Sequence, residues 1–155
     1  MKAIIQRVFS ASVTVEEKIV GEIEKGFLIL LGVNEEDNDQ RAALLAQKVA
    51  NLRVFTDEND KMNLSLLDVN GGALVVSNFT LCADTKKGNR PSFSKAMAPL
   101  EADRLYKLFC DELLKNGVKK VQTGEFGADM TVVMQGDGPV TIILDTDVWE
   151  KKSGN

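Results

Sequence analysis

The chain contains no histidine. That absence excludes Ser-His-Asp and Cys-His catalysis, together with every zinc site built on imidazole. Proton transfers in an enzyme of this sequence therefore rest on carboxylates, hydroxyls, backbone groups or the substrate itself. Cysteine is scarce: Cys82 and Cys110 form neither a C-x-x-C pair nor a disulfide framework, and read as small hydrophobes in a reducing compartment. Long apolar runs are missing, since the longest, GFLILLGV at 26–33, is strand-sized and a bilayer span takes roughly 20 residues. The opening MKAIIQRVFSASVTV alternates and lacks the unbroken apolar stretch of a signal peptide. A cytoplasmic protein with no membrane partner is the expectation. Excess positive charge is missing as well. The net charge of −4 argues against a protein that coats nucleic acid non-specifically, and no DNA partner is expected.

What is present is one domain's worth of ordinary globular sequence: 155 residues, 44% apolar and 27% charged, without repeats, low-complexity tracts or linkers. A single domain is expected over 1–150, with the tail KKSGN at 151–155 frayed. Residues 2–15 alternate as a strand with an irregularity near Ser10-Ala11. Glu16-Glu17 make a turn, and KIVGEIEKG returns as a more polar strand. FLILLGV is apolar on both faces, which fits a central, covered strand. Asn38 or Asp39 can cap a helix over about 40–51, with Ala43, Leu44, Ala46, Val49 and Ala50 as its apolar stripe. Pro99 opens a second helix whose stripe runs Ala102, Leu105, Leu108-Phe109 and Leu113, and Gly117 stands where a C-terminal glycine belongs. Short strands are expected at 53–55, 73–81, 118–124, 128–135 and 140–146. Seven or eight strands with two helices predict an α+β domain with a largely antiparallel, curved or barrel-like sheet.

Three stretches carry chemistry. In VVSNFTLCADT, alternation sets Ser77, Phe79 and Leu81 on one strand face and Asn78 and Thr80 with Val76 on the other. Polar side chains at the end of an apolar strand suit a site at a sheet's rim, and equally suit a strand that simply surfaces there. The segment CADTKKGNRPSFSKAMA has no periodicity and is long for a structureless connection. It places Lys86, Lys87, Arg90 and Lys95 in an otherwise acidic chain, beside Phe93 with its aromatic face. Such a loop is either a solvated surface loop or a phosphate-binding one for a nucleotide or RNA backbone. In VVMQGDGPVTIIL, Asp137-Gly138 suffices for a hairpin turn. Pro139 is then extra, either a plain strand-starting residue or part of a displayed turn.

SNFTL at 77–81, KKGNRPSF at 86–93, GEFGADM at 124–130 and GDGPVT at 136–141 together resemble the D-aminoacyl-tRNA deacylase (D-tyrosyl-tRNA deacylase) family. QRVFSASVTV, GFLILLGV and KMNLSL match it too, so the resemblance covers essentially the whole chain. Two positions depart from the family pattern: Asn78 stands where glutamine is usual, and Gly136 where asparagine is usual. The resemblance implies a homodimer that hydrolyses the ester of D-aminoacyl-tRNA, with glycyl-tRNA as a candidate second substrate and with no metal or other cofactor. It implies a cis Gly138-Pro139 peptide that one subunit inserts into its partner's site, where it excludes L-amino acids, with Arg7 fixing that turn and Met130 beside the substrate. It assigns Ser77, Asn78, Phe79 and Thr80 to the catalytic rim, with backbone N–H groups near Phe79 and Thr80 as oxyanion donors. A neighbouring ribose hydroxyl of the substrate would assist, and Thr80 ranks as a positioning group over a nucleophile. Lys86, Lys87 and Arg90 are then the tRNA-binding cations. Two alternatives stay open: a paralogous editing enzyme for a small L-amino acid, and a module that holds tRNA ends without hydrolysis.

Overall fold

The computed structural model describes residues 1–150; the tail expected to fray over 151–155 lies outside the described residues. The chain runs β1 (Lys2–Val15), β2 (Lys18–Ile23), β3 (Gly26–Gly32), α1 (Asp39–Asn51), β4 (Phe55–Thr56), β5 (Met62–Leu64), β6 (Gly72–Ser77), α2 (Pro99–Lys115), β7 (Val121–Thr123) and β8 (Thr131–Asp145). The main sheet has the order β2-β1-β3-β6-β7, with β8 along the remaining edge of β1. Strand β1 pairs antiparallel with β2, β3 and β8, whereas β3-β6 and β6-β7 are parallel. Strand β2 curls back against β7, where a Cβ on Gly21 would stand 2.4 Å from the Thr123 carbonyl oxygen. The sheet is thus a nearly closed barrel, and the expected α+β class holds. No helix among the described residues is long and apolar enough to cross a membrane.

Two cores follow from alternation along the central strands. Phe27, Ile29 and Leu31 of β3, with Ala73 and Val75 of β6, pack under the two helices. Their neighbours Leu28, Leu74 and Val76 turn the other way and meet Val8, Ala11, Val13 and Ile23. A strand with an apolar residue at every position is needed where both faces are covered. Val8 faces the second core by plain alternation from Ala3 and Ile5, and the register shift between Val8 and Ser10, where β1 carries one extra residue, changes the side-chain parity so that Ala11 and Val13 join it there. The helices are set by their caps and stripes. Asn38 caps α1 by accepting the Arg41 N–H at 3.0 Å. The buried face of α1 is Ala42, Leu45, Ala46, Val49 and Ala50, so the expected stripe is rotated: Leu44 is exposed and Ala43 only half-buried. Ala42 and Leu45 complete a better i, i+3, i+4, i+7, i+8 series than Ala43 and Leu44 do. Helix α2 buries Ala102, Leu105, Phe109 and Leu113 as expected, and adds Tyr106 and Cys110. Both cysteines are buried and free, and burial pushes the Cys110 thiol up to about 12, with the Asp111 charge adding to it.

Two local expectations are corrected. Strand β6 stops at Ser77, because its partner β3 ends at Gly32; the chain then turns through a short 3-10 segment, Phe79–Cys82, instead of continuing to residue 81. The Gly136–Pro139 step is not a hairpin. Strand β8 is continuous, and its two halves run in one direction along the same edge of β1, with Gln6 opposite Thr141 and Val8 opposite Gly136. Residues 137–140 therefore bulge out of the ladder opposite Arg7 alone. Proline, having no N–H to give to a ladder, is at home in such a bulge.

Candidate functional site

Where β6 stops, the backbone changes direction around Asn78. The Asn78 N–H still bonds to the Leu31 carbonyl oxygen at 2.8 Å, continuing the sheet by one bond. The Leu81 and Ala83 N–H groups then bond to the Asn78 and Thr80 carbonyl oxygens, closing the 3-10 segment. The first N–H groups of such a segment have no partner within it. Those of Phe79 and Thr80 take none among the described residues, and no side chain caps them. The Asn78 carboxamide is engaged elsewhere: its Oδ1 accepts the Thr80 hydroxyl in a short hydrogen bond. Asparagine at this position, one methylene shorter than the family's usual glutamine, therefore still reaches Thr80.

These residues stand on the rim of a cavity of about 990 Å³. Leu28, Leu30 and Val76 make its floor, Phe126, Met130 and Met134 one wall, and Met97 with Ala98 and Pro99 the other. Ser77, Asn78 and Phe79 of the expected rim line the cavity, as does the expected Met130; Thr80 is exposed and does not line it, its hydroxyl bonded to Asn78. Gly124 makes room for this wall, since a Cβ there would lie 2.6 Å from the Met130 Sδ. Asp129 is the sole charged side chain in the lining. Gln6, Phe126 and Met97 also line the cavity without having been singled out from sequence. Gln6 had a findable signal, a polar residue amid an apolar alternation. Its Oε1 accepts the Thr141 hydroxyl at 2.6 Å, across the β1–β8 pair.

The bulge is braced by Arg7, whose side chain is only 10% exposed. Its Nε donates to the Asp137 carbonyl oxygen at 3.0 Å and its Nη1 to the Val54 carbonyl oxygen at 2.6 Å, with the Asp137 carboxylate 3.4 Å away. The Gly138-Pro139 peptide is cis, and both residues are exposed. Neither lines the cavity of its own chain. The structure thus brings Arg7 to the turn, and Ser77, Asn78 and Phe79 to one cavity with Met130, while Gly138 and Pro139 stay outside that cavity.

The segment from Cys82 to Ala98 is an ordered projection. Its neck is closed by Asp84 N–H to Ser92 carbonyl at 2.7 Å and Ser92 N–H to Asp84 carbonyl at 2.9 Å. Its return limb is tied down by the Glu35 N–H to the Lys95 carbonyl at 2.9 Å and the Met97 N–H to the Val33 carbonyl at 3.0 Å. Lys86, Lys87 and Arg90 are exposed near its tip, and Gly88 supplies a left-handed turn there with φ of +63°. No cluster of side chains suited to a metal ion occurs among the described residues.

Fold and site together define an α+β protein with one large, mostly apolar pocket at a sheet's rim, bordered by a cationic projection. The family described as D-Tyr-tRNA(Tyr) deacylase matches residues 4–145, and the chain belongs to that family. It is 55% identical over 146 residues to a D-aminoacyl-tRNA deacylase of Thermosipho africanus, covering 94% of this chain and 97% of that protein. It is 55% identical over 144 residues to the protein of the same name from Serratia proteamaculans, covering 93% and 99%. Among solved structures it is similar to the c-Myc DNA Unwinding Element Binding Protein, with a TM-score of 0.88, 41% identity and coverage of 94% and 98%. It shares its fold with a probable eukaryotic D-amino acid tRNA deacylase, with a TM-score of 0.80, 17% identity and coverage of 92% and 97%.

Proposed function

We propose that this chain is a cytoplasmic hydrolase that cleaves the ester between a D-amino acid and the terminal ribose of a tRNA, working as a homodimer. The observation that carries the chemistry is the pair of unpartnered Phe79 and Thr80 N–H groups, Phe79 itself lining a mostly apolar pocket in which Asp129 is the one charged side chain. Water adds to the ester carbonyl carbon, and the developing oxyanion accepts from those two amides. As the acyl C–O bond breaks, the ribose oxygen leaves and takes up a proton, giving free D-amino acid and tRNA. With no histidine in the chain, the neighbouring ribose hydroxyl of the substrate serves as the proton carrier. The Thr80 hydroxyl donates its hydrogen bond to the Asn78 Oδ1, which cannot act as a base, so Thr80 is assigned to positioning the rim and not to attack.

Chirality is read by the bulge at Gly138-Pro139 of the second protomer. Backbone held close to the substrate Cα clashes with an L side chain and leaves a D side chain free, without recognising which side chain it is. Achiral glycine has nothing to exclude and passes. The homodimer is supported by β8, which among the described residues pairs along one edge only, and by Val133 and Ile143 on it, 57% and 71% exposed. An uncovered strand edge with apolar side chains is a pairing surface. Val133→Glu with Ile143→Glu is expected to give a monomer in sedimentation experiments and to remove activity; an active monomer rules out the shared site.

The assignment is tested by hydrolysis of D- and L-tyrosyl-tRNA with the purified protein. D-ester turnover with the L-ester spared is the expected result. Turnover of a small L-ester in preference, or tight tRNA binding with no turnover, overturns it. Thr80→Ala is expected to lower kcat/KM less than about 10²-fold, the lower bound of what a group in proton transfer supplies. Complete loss with tRNA binding intact identifies Thr80 as the nucleophile instead. Changing Lys86, Lys87 and Arg90 together to alanine is expected to raise KM for aminoacyl-tRNA and flatten its salt dependence, by about 0.7–0.9 in the log–log slope per lost phosphate contact. Hydrolysis of a minimal D-aminoacyl-adenosine should barely change; equal damage to both substrates would place the loop in the catalytic centre.

A further inference from the structure

We propose that Phe93, with Phe79 set against it, is a stacking platform for the second nucleobase from the 3′ end of the bound nucleic acid. The inference rests on the pocket holding the terminal adenosine. Three phenylalanines of the chain are exposed, Phe9, Phe79 and Phe93, and two of them stand together at this pocket. Phe79 is 57% and Phe93 36% exposed. Their ring centroids are 5.1 Å apart and their planes are at 76°. In such an edge-to-face pair, the ring that supplies its edge keeps both faces uncovered by its neighbour, and the pairing fixes its orientation.

The position of the pair decides what it meets. Phe79 is on the catalytic rim, and Phe93 follows directly on Ser92, which closes the neck of the cationic projection. The aromatic pair therefore lies between the cavity and the loop of Lys86, Lys87 and Arg90. A strand whose last sugar is in the cavity, and whose phosphates reach those cations, must cross the two rings with its next nucleotide. An aromatic face placed along a cationic track is how single-stranded nucleic acid is held without reading its sequence, because every base has a π-face. A base-tolerant contact fits substrates that all end in the same trinucleotide.

The test is a binding cycle on uncharged ends, measured by calorimetry. The probes are CpCpA and the same trinucleotide with an abasic sugar in the penultimate position, which keeps both phosphates and removes only the base. In the parent protein the abasic probe is expected to bind about 5- to 150-fold more weakly, the range for one stacked base. In Phe93→Ala the two probes are expected to bind within about twofold of each other, and Phe93→Tyr is expected to restore the difference. An abasic penalty that is absent from the parent, or that persists unchanged in Phe93→Ala, overturns the platform. If Phe93→Ala does not fold, the parent's abasic penalty and its size in Phe93→Leu decide alone. Turnover of D-aminoacyl-adenosine by the parent is measured alongside. Turnover without an abasic penalty leaves the deacylase assignment standing and removes the platform. A penalty abolished in Phe93→Ala without turnover does the reverse, and failure of the parent to bind CpCpA removes both.

Discussion

Arg7→Ala is expected to lower kcat/KM for D-aminoacyl-tRNA by about 10²-fold or more, while the protein stays folded. The guanidinium holds the bulge from a single, nearly buried side chain, through the Asp137 carbonyl at 3.0 Å and the Val54 carbonyl at 2.6 Å. Truncation removes the donor for both carbonyls at once, and each half-buried acceptor left without a partner costs about 1–3 kcal/mol unless water replaces the donor. Stability is thus expected to fall by a few kcal/mol. The larger effect is positional. Residues 137–140 have no ladder partner on β1, so without Arg7 the exposed Gly138-Pro139 turn is free to drift. A misplacement of about 1 Å in a group that positions substrate costs on the order of 10²-fold in rate. Arg7→Lys is expected to resemble alanine, because one ammonium cannot serve two carbonyls in different directions as the planar fork does. Kinetics on D- and L-esters check this; a variant with unchanged rate and unchanged D-to-L ratio would detach the turn from selection.

The largest loss of stability is expected from Phe27→Ala. Phe27 is fully buried in the helix-side core, at the start of β3, with its ring stacked on Phe55 at 5.0 Å between centroids. The adjacent strand cannot move in to fill the space, because it is held by the parallel ladder that pairs Phe27 with Ala73 and by the antiparallel ladder that pairs it with Arg7. Removing a buried phenylalanine from a site that cannot collapse costs about 3–5 kcal/mol, much of the 5–15 kcal/mol that holds a domain folded. Urea unfolding is expected to show a lower midpoint at an unchanged slope. A change below about 1 kcal/mol would mean that this side chain is not at the centre of the core.

The same physics sets what could be read without the structure. Strand β3, both helices with their caps, the irregularity in β1 and the α+β class follow from local pattern: side-chain period, capping chemistry and the placement of Pro99 and Gly117 act over a few residues. The joint motifs name the family, and polar Ser77 and Asn78 at the end of an apolar strand mark the edge of the sheet, where the structure has them lining the cavity. The ends of pairing were not. Nothing local tells the chain to leave the strand at Ser77; β3 running out at Gly32 does. Nor does GDGP say whether two apolar runs fold back on each other or run on along one partner. The fourteen residues of β1 decide that, by offering one uninterrupted edge to both halves of β8. The rotation of α1, which buries Leu45 in place of Leu44, is decided by the sheet it covers. Gln6 joins the pocket only because β3 and β8 flank it. Sequence determines what each segment can be, through interactions within reach of a turn or two. Which edge it finds, and therefore which side chains share a cavity, is settled by partners far away in the chain.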